Sequence, residues 1–148
     1  MKSPKWLTTA MVVAIHDEAI YIFGGLGGIR DRGLLEGALG RPRNTGAYTA
    51  SATIFDLAAS LGVGIARDHA FVDGNKRTAL LATRAFLFLN GHTFEPDEHD
   101  EVMTMLRVAT GELAQDAFAL RLQKNCVTRP RTRGANARSS RSKRSRKN

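Results

Sequence analysis

The sequence predicts an all-α protein: a compact bundle of about six helices followed by a disordered basic tail. Three observations predict it. Apolar residues recur at helical spacing in one segment after another. Gly, Pro or Asn stands at each break between those segments. An apolar content of 43% in 148 residues is enough for one core, and one domain is the natural reading of that length. No sheet is indicated, and the sequence shows no internal repeats.

The elements follow in order. Thr8 or Thr9 can cap a first helix running to about Phe23, with Met11, Ala14, Ile15, Ala19 and Ile22 at helical spacing. Gly24-Gly-Leu-Gly-Gly28 reads as a flexible break. Asp31 caps a second helix that ends near Arg41, before Pro42, and a loop rich in Arg, Asn, Thr and Gly follows. Ser51 caps a third helix with Ile54, Leu57, Ala58, Leu61 and Ile65 on one face. Its Gly62 and Gly64 either weaken it or permit close packing. Residues 78–89 form a helix apolar nearly all round, which predicts a buried position. Asn90 and Gly91 close it. His92 to Phe94 reads as one short extended piece. Asp97 caps a helix that Gly111 breaks, and the last helix runs from about Leu113 to Lys124.

The net charge of +8 is unevenly spread. From Val127 onward the chain carries nine Lys or Arg residues and no acid, which leaves 13 basic against 14 acidic residues in the rest. The folded part, taken as residues 1–127, is therefore near neutral, and residues 128–148 form the tail. That stretch lacks the apolar side chains needed to offset the entropy of ordering, so it is expected to be disordered. Such a tail could also attract nucleic acid through nonspecific phosphate contacts. Cys126 is the only cysteine, which excludes an internal disulfide. No apolar run approaches a membrane span, and no signal-peptide pattern opens the chain. The expectation is a cytoplasmic protein with no membrane association.

Between the third helix and the apolar one lies the most informative stretch, His69-Ala-Phe-Val-Asp-Gly-Asn-Lys-Arg77. It brings an imidazole, a carboxylate, a glycine turn, an amide and two cations to a helix N-terminus. Free N–H groups and the positive end of the helix dipole make such a terminus a seat for phosphate. His69 is the candidate general base. Asp73 is the candidate ligand for Mg2+, which prefers carboxylate and phosphate oxygens. Gly74 lets the backbone approach an anion, Asn75 can donate its side-chain amide, and Lys76 and Arg77 can neutralise a transferring phosphoryl group. Phe71 reads as a packing anchor. The competing reading is an ordinary capped helix start, since Asp and Asn are good N-caps. Convergence of base, metal ligand and phosphate donors favours a site.

The nonapeptide resembles the signature of the Fic/Doc family, H-x-F-x-D-G-N-x-R, with its fixed positions met by His69, Phe71, Asp73, Gly74, Asn75 and Arg77. Fic proteins that transfer AMP usually carry a second glycine where this chain has Lys76; a lysine there marks the Doc (death-on-curing) branch. Gly74 itself is nearer the Fic form, since some Doc proteins carry alanine there. The likeness spans roughly residues 10–124 and includes the first helix around Ile15-His-Asp-Glu-Ala19, the glycine-rich segment as a target-docking flap, Leu34 to Arg41, and the turn at Ala109-Thr-Gly-Glu112.

The resemblance implies a toxin of a toxin–antitoxin pair that transfers the γ-phosphoryl group of ATP, with Mg2+, to a translation factor, elongation factor Tu being the family's known substrate. It implies His69 as base, Asp73 as metal ligand, and Asn75, Lys76 and Arg77 as phosphate-holding residues. It also implies an antitoxin acting in trans, because the only Glu-Gly pair, Glu36-Gly37, has Arg32 where a self-inhibitory motif has Ser or Thr. The alternatives are AMP transfer to a protein hydroxyl and a non-enzymatic binder that docks its basic tail on nucleic acid or ribosomes.

Other polar groups have plainer readings. His16, Asp17 and Glu18 face different ways on a helix and cannot easily share one ion, so His16 is expected to pack. His92 and His99 are expected at the surface. The acidic run from Glu95 to Glu101 suits a solvated helix start. Arg67 either assists a phosphate or lies on the surface.

Overall fold

The structure, a computed structural model, describes residues 3–129. Six helices form it: α1 (Thr9–Phe23), α2 (Arg32–Tyr48), α3 (Ile54–Asp68), α4 (Asn75–Leu89), α5 (Glu98–Thr110) and α6 (Gln115–Lys124). Two short strands, β1 (His92–Phe94) and β2 (Cys126–Thr128), pair antiparallel with Phe94 opposite Cys126 and His92 opposite Thr128.

The bundle is arranged around α3. Ten consecutive residues, 57–66, are buried, and α2, α4, α5 and α6 all pack on this one helix. The two glycines explain how so many neighbours fit. A Cβ on Gly62 would lie 2.6 Å from Thr83 Oγ1 and 3.1 Å from Phe118 Cε2. A Cβ on Gly64 would lie 3.0 Å from Arg41 Cδ and 3.2 Å from the Ala38 Cβ. Of the two expectations for these glycines, close packing is the outcome. The centre of the fold is therefore α3, whereas α4 is buried along Thr78, Ala79, Ala82, Thr83, Phe86 and Leu87 and shows Lys76, Arg77, Arg84 and Phe88 to solvent.

Several boundaries differ from the sequence reading. The second helix does not end before Pro42 but runs through it to Tyr48. Proline inside a helix forfeits one backbone bond and strains the preceding turn by roughly 3 kcal/mol. Here its ring is buried and the following turn is held by α3: Gly46 faces Leu57, and Thr45 Oγ1 donates to Ser60 Oγ at 3.4 Å. Tertiary contact outweighs the local penalty. The third helix is capped by Thr53, whose Oγ1 accepts from Asp56 N–H, rather than by Ser51. The expected extended piece at His92 to Phe94 exists, but it has a partner that the absence of any indicated sheet did not anticipate. That partner is the chain's return after α6, so Thr128 and Arg129 belong to the folded body, with Arg129 N–H donating to Gly91 O at 2.8 Å. The rest of the expected tail lies outside the described residues, as does the His99 side chain.

Three polar residues are not where the sequence put them. Arg67 donates to Val108 O (2.7 Å) and Leu113 O (3.2 Å), tying α3 to the turn between α5 and α6. Glu101 is buried and meets the exposed Arg84 through Nη1 at 3.0 Å, so the acidic run ends in a buried carboxylate paired at the surface rather than in a fully solvated one. His92 is half-buried against the Phe55 ring, and burial pushes its pKa below the ordinary histidine value.

Gly62→Ala tests the central packing. Alanine is the better helix former by about 1 kcal/mol, yet overpacking here should lower unfolding stability by about 1–3 kcal/mol. Urea denaturation measures it; a stabilised variant would show that α3 and α4 have room to spare.

Candidate functional site

The nonapeptide is the connection between α3 and α4, and each end is fixed differently. At its start, His69 terminates α3 in the left-handed region (φ 52°, ψ 48°), the only non-glycine residue with positive φ among the described residues. Arg30 secures this turn. Its Nε donates to His69 O (2.7 Å) and its Nη2 to Asp68 O (3.3 Å). A cation at the last carbonyls of a helix also offsets the dipole.

The glycine-rich segment, read as a flexible break, is fastened to the loop. Arg30 and Asp31 N–H both donate to Ala70 O (2.7 and 3.0 Å), Ile29 bridges antiparallel to Phe71, and Val72 N–H donates to Gly28 O at 3.0 Å. Phe71 is buried, as its reading as an anchor requires.

Asn75 closes the loop from inside. Its Oδ1 accepts from Phe71 N–H and its Nδ2 donates to Phe71 O, both at 3.0 Å, in a buried setting. The side-chain amide is thus spent largely on the loop's own backbone, and what Asn75 presents outward is the start of α4. Gly74 occupies the N-cap with φ 75° and provides no side-chain cap. Asp73 is exposed, and its two oxygens accept from different neighbours: Oδ1 from Gly74 N–H (2.9 Å) and Oδ2 from Leu26 N–H (3.1 Å). Those bonds, Leu26's first and then Gly74's, hold its carboxyl below the usual carboxylate range, helped by His16 and Lys76.

Asp73, Gly74, Asn75, Lys76 and Arg77 line one cavity of about 270 Å³, whose far wall is apolar: Leu80, Val102, Met105 and Leu106. Both cations are exposed, and the Arg77 guanidinium lies 3.8 Å above the ring of Phe23 at the end of α1. His69 is exposed but does not line this cavity; it stands at the other end of the loop. Five of the six residues singled out from sequence are therefore gathered, and the candidate base flanks them.

A family model described as the Fic/DOC family matches residues 6–87, which includes the whole nonapeptide. The chain belongs to the Fic/Doc family. It is similar to the "Protein kinase doc" of Escherichia phage P1, at 37% identity over 109 residues that cover 73% of this chain and 85% of that protein. It is also similar to the "Toxin Doc" of Mycolicibacterium smegmatis, at 42% identity over 106 residues covering 68% of this chain and 79% of the relative.

Within this candidate site, sequence reasoning missed Arg30, Phe23 and the hydrogen bond of His16 to Asp73 O. All three residues lie outside the motif, and nothing in their spacing links them to it. Only the glycine-rich segment, whose ends carry Phe23 and Arg30, pointed to that neighbourhood.

Asn75→Ala should remove both bonds to the Phe71 backbone and leave a buried N–H and C=O without partners, at about 1–3 kcal/mol. Chemical denaturation with unchanged helicity checks it; wild-type stability would mean that water replaces the amide at no cost.

Proposed function

We propose that the chain is a Doc-like toxin of a toxin–antitoxin pair, a cytoplasmic phosphotransferase that moves the γ-phosphoryl group of ATP to a Ser or Thr hydroxyl of a translation factor, with elongation factor Tu the expected target. The observation that carries this reading is the cavity in which Asp73, Lys76 and Arg77 meet at a helix N-terminus left without a side-chain cap. Membership of the Fic/Doc family and similarity to one protein named a kinase and another named a toxin support it. Lys76, where AMP-transferring relatives usually have glycine, favours phosphoryl over AMP transfer. No helix among the described residues is long and apolar enough to cross a membrane, which accords with a cytoplasmic site of action. An antitoxin supplied by a second chain would inhibit it.

The donor set suits Mg2+. This ion typically takes one or two carboxylates and completes its shell with phosphate oxygens and water, and Asp73 offers an exposed, ionised carboxylate beside the phosphate seat. Bound there, the ion would neutralise charge on the nucleotide phosphates. The chain's own residues do the rest. The backbone N–H groups of the first turn of α4 and the side chains of Lys76 and Arg77 hold the phosphates. His69 accepts the proton of the attacking hydroxyl as its oxygen bonds to the γ-phosphorus, while the bond from that phosphorus to the bridging oxygen breaks and ADP departs. Positioning and charge stabilisation supply most of the acceleration.

His69→Ala should lower transfer by about 10²–10⁴-fold, the usual share of a general base, with an unchanged melting curve. ATP labelled at the α or γ position, incubated with Mg2+ and elongation factor Tu, decides the chemistry. Label from γ supports the phosphotransferase, and label from α establishes AMP transfer. Label from neither, together with growth arrest that persists in His69→Ala, would overturn an enzymatic role.

A pH prediction follows from Asp73. Its folded pKa is depressed, so its charged form persists as pH falls through the range where an unperturbed carboxylate would begin to protonate. Mg2+ affinity measured by titration calorimetry as the pH is lowered should therefore be lost with a midpoint below the ordinary aspartate value of about 3.9. A loss of affinity centred at the ordinary carboxylate value would show that the Leu26 and Gly74 bonds are absent in solution.

A further inference from the structure

One buried polar group outside the nonapeptide is aimed at it and is not used by the reaction as described. His16, on α1, is 1% exposed. Its Nε2 donates to Asp73 O at 2.8 Å, the only role open to a ring nitrogen facing a carbonyl. Its ring lies nearly parallel on Phe71, with centroids 3.9 Å apart and planes 7° from each other. A Cβ on Gly74 would come within 3.7 Å of the same imidazole and 3.1 Å of Ile20 Cδ1, one turn further along α1. A single side chain therefore contacts the ring of Phe71 and the backbone of Asp73, and lies where a side chain on Gly74 would reach it.

We propose that His16 is a positioning residue that orients the Asp73 carboxylate through the peptide unit between Asp73 and Gly74. The peptide is planar, so its C=O and N–H point in fixed opposite directions. His16 holds the C=O. The N–H on the other side is received by Asp73's own Oδ1 at 2.9 Å. Fixing the plane from the oxygen side thus fixes where that N–H points, and through it which way the carboxylate turns. Oδ2 is then directed at the flap, where Leu26 N–H meets it. Gly74 permits the arrangement because its φ of 75° is open to glycine and its missing Cβ leaves α1 in contact with the loop.

A purely packing role is the competing explanation, and it accounts for less. An apolar ring would stack on Phe71 as well without burying a polar edge, which is unfavourable unless the group is hydrogen-bonded. The bond to Asp73 O is the distinguishing observation. Partners that orient a metal-binding side chain without touching the ion typically change affinity or activity by about 10–100-fold when removed.

The proposal rests on the reading of Asp73 as the site's cation-binding carboxylate, and the experiment separates the two. The full chain is compared with His16→Gln, which keeps an N–H donor at similar reach but gives up the stack, and with His16→Phe, which keeps the stack and gives up the donor. His16→Met stands in for a His16→Phe that does not fold. Three quantities are measured: the Mg2+ concentration for half-maximal transfer, kcat set against the KM for ATP, and amide exchange at Gly74.

His16→Phe should melt near the wild type, require about 10–100-fold more Mg2+, and exchange the Gly74 amide faster. His16→Gln should recover most of the Mg2+ response and the protection. A His16→Phe protein with wild-type Mg2+ dependence and wild-type Gly74 exchange overturns the proposal, as does a His16→Gln protein no better than His16→Phe. If the wild type transfers nothing, the functional reading fails on its own. The exchange data still decide His16: faster exchange in His16→Phe than in His16→Gln supports the orienting bond, and equal exchange removes it.

Discussion

Everything at the site depends on how closely α3 lets its neighbours approach. A helix packed by four others cannot carry full-sized side chains on every face. At Gly62 and Gly64 it carries none, and Thr83 and Ala38 occupy the space. Because Thr83 lies on α4 and Ala38 on α2, the same two absences set the distance from α3 to both neighbours, and α3 and α4 are the helices that frame the nonapeptide. The loop's two ends are anchored in that frame, His69 at the last turn of α3 and Asn75 at the first turn of α4. A loop of this length between rigid, closely spaced ends has few conformations open to it. The protein exploits this by placing polar groups at the ends and burying the middle, Ala70 and Phe71, beneath α1 and the flap.

Much of this plan is legible in the sequence, and the misses have physical causes. Helix periodicity and the caps Thr8, Asp31 and the pair Asn90 and Gly91 are local signals, and they locate α1, the start of α2 and the end of α4 well. Pro42 misleads because its penalty is local while the compensation comes from Leu57 and Ser60 on another helix. The strand at His92 to Phe94 is visible as an extended piece, but its partner is a chain segment more than thirty residues away, and three-residue strands carry too little pattern to announce a pairing. Arg67 and Glu101 look like surface charges because burial of a charge depends on a partner that no single stretch reveals.

The site shows the same division. Residue types proposed for their own chemistry, His69, Asp73 and Lys76, stand out in the nonapeptide. Those that act through backbone geometry do not. Arg30 grips two carbonyls, and Asn75 spends its amide on Phe71 instead of presenting it outward. His16 could be read as a packing residue, which it is, but its hydrogen bond to Asp73 lies on the edge of the ring that a helical wheel cannot display.

The treatment of helix N-termini makes the final point about charge. Thr8, Asp31 and Thr53 each bond back to an N–H in the first turn of the helix they begin. At α4 the capping position holds Gly74, and the nearest carboxylate, Asp73, sits one residue too early and turns its Oδ1 to Gly74 instead. A side-chain cap contributes about 1 kcal/mol, so leaving it out here is a local sacrifice, one that α5 and α6 also make, since neither Asp97, which the sequence offers as a cap, nor Ala114 forms a side-chain cap bond. The sacrifice leaves the positive end of α4 directed at the cavity alongside Lys76 and Arg77. The folded body as a whole is near neutral, so attraction for an anion does not come from net charge. On the proposed reading it comes from a few groups concentrated at one helix terminus. The basic residues beyond Arg129 add charge to the chain without being needed to explain that concentration.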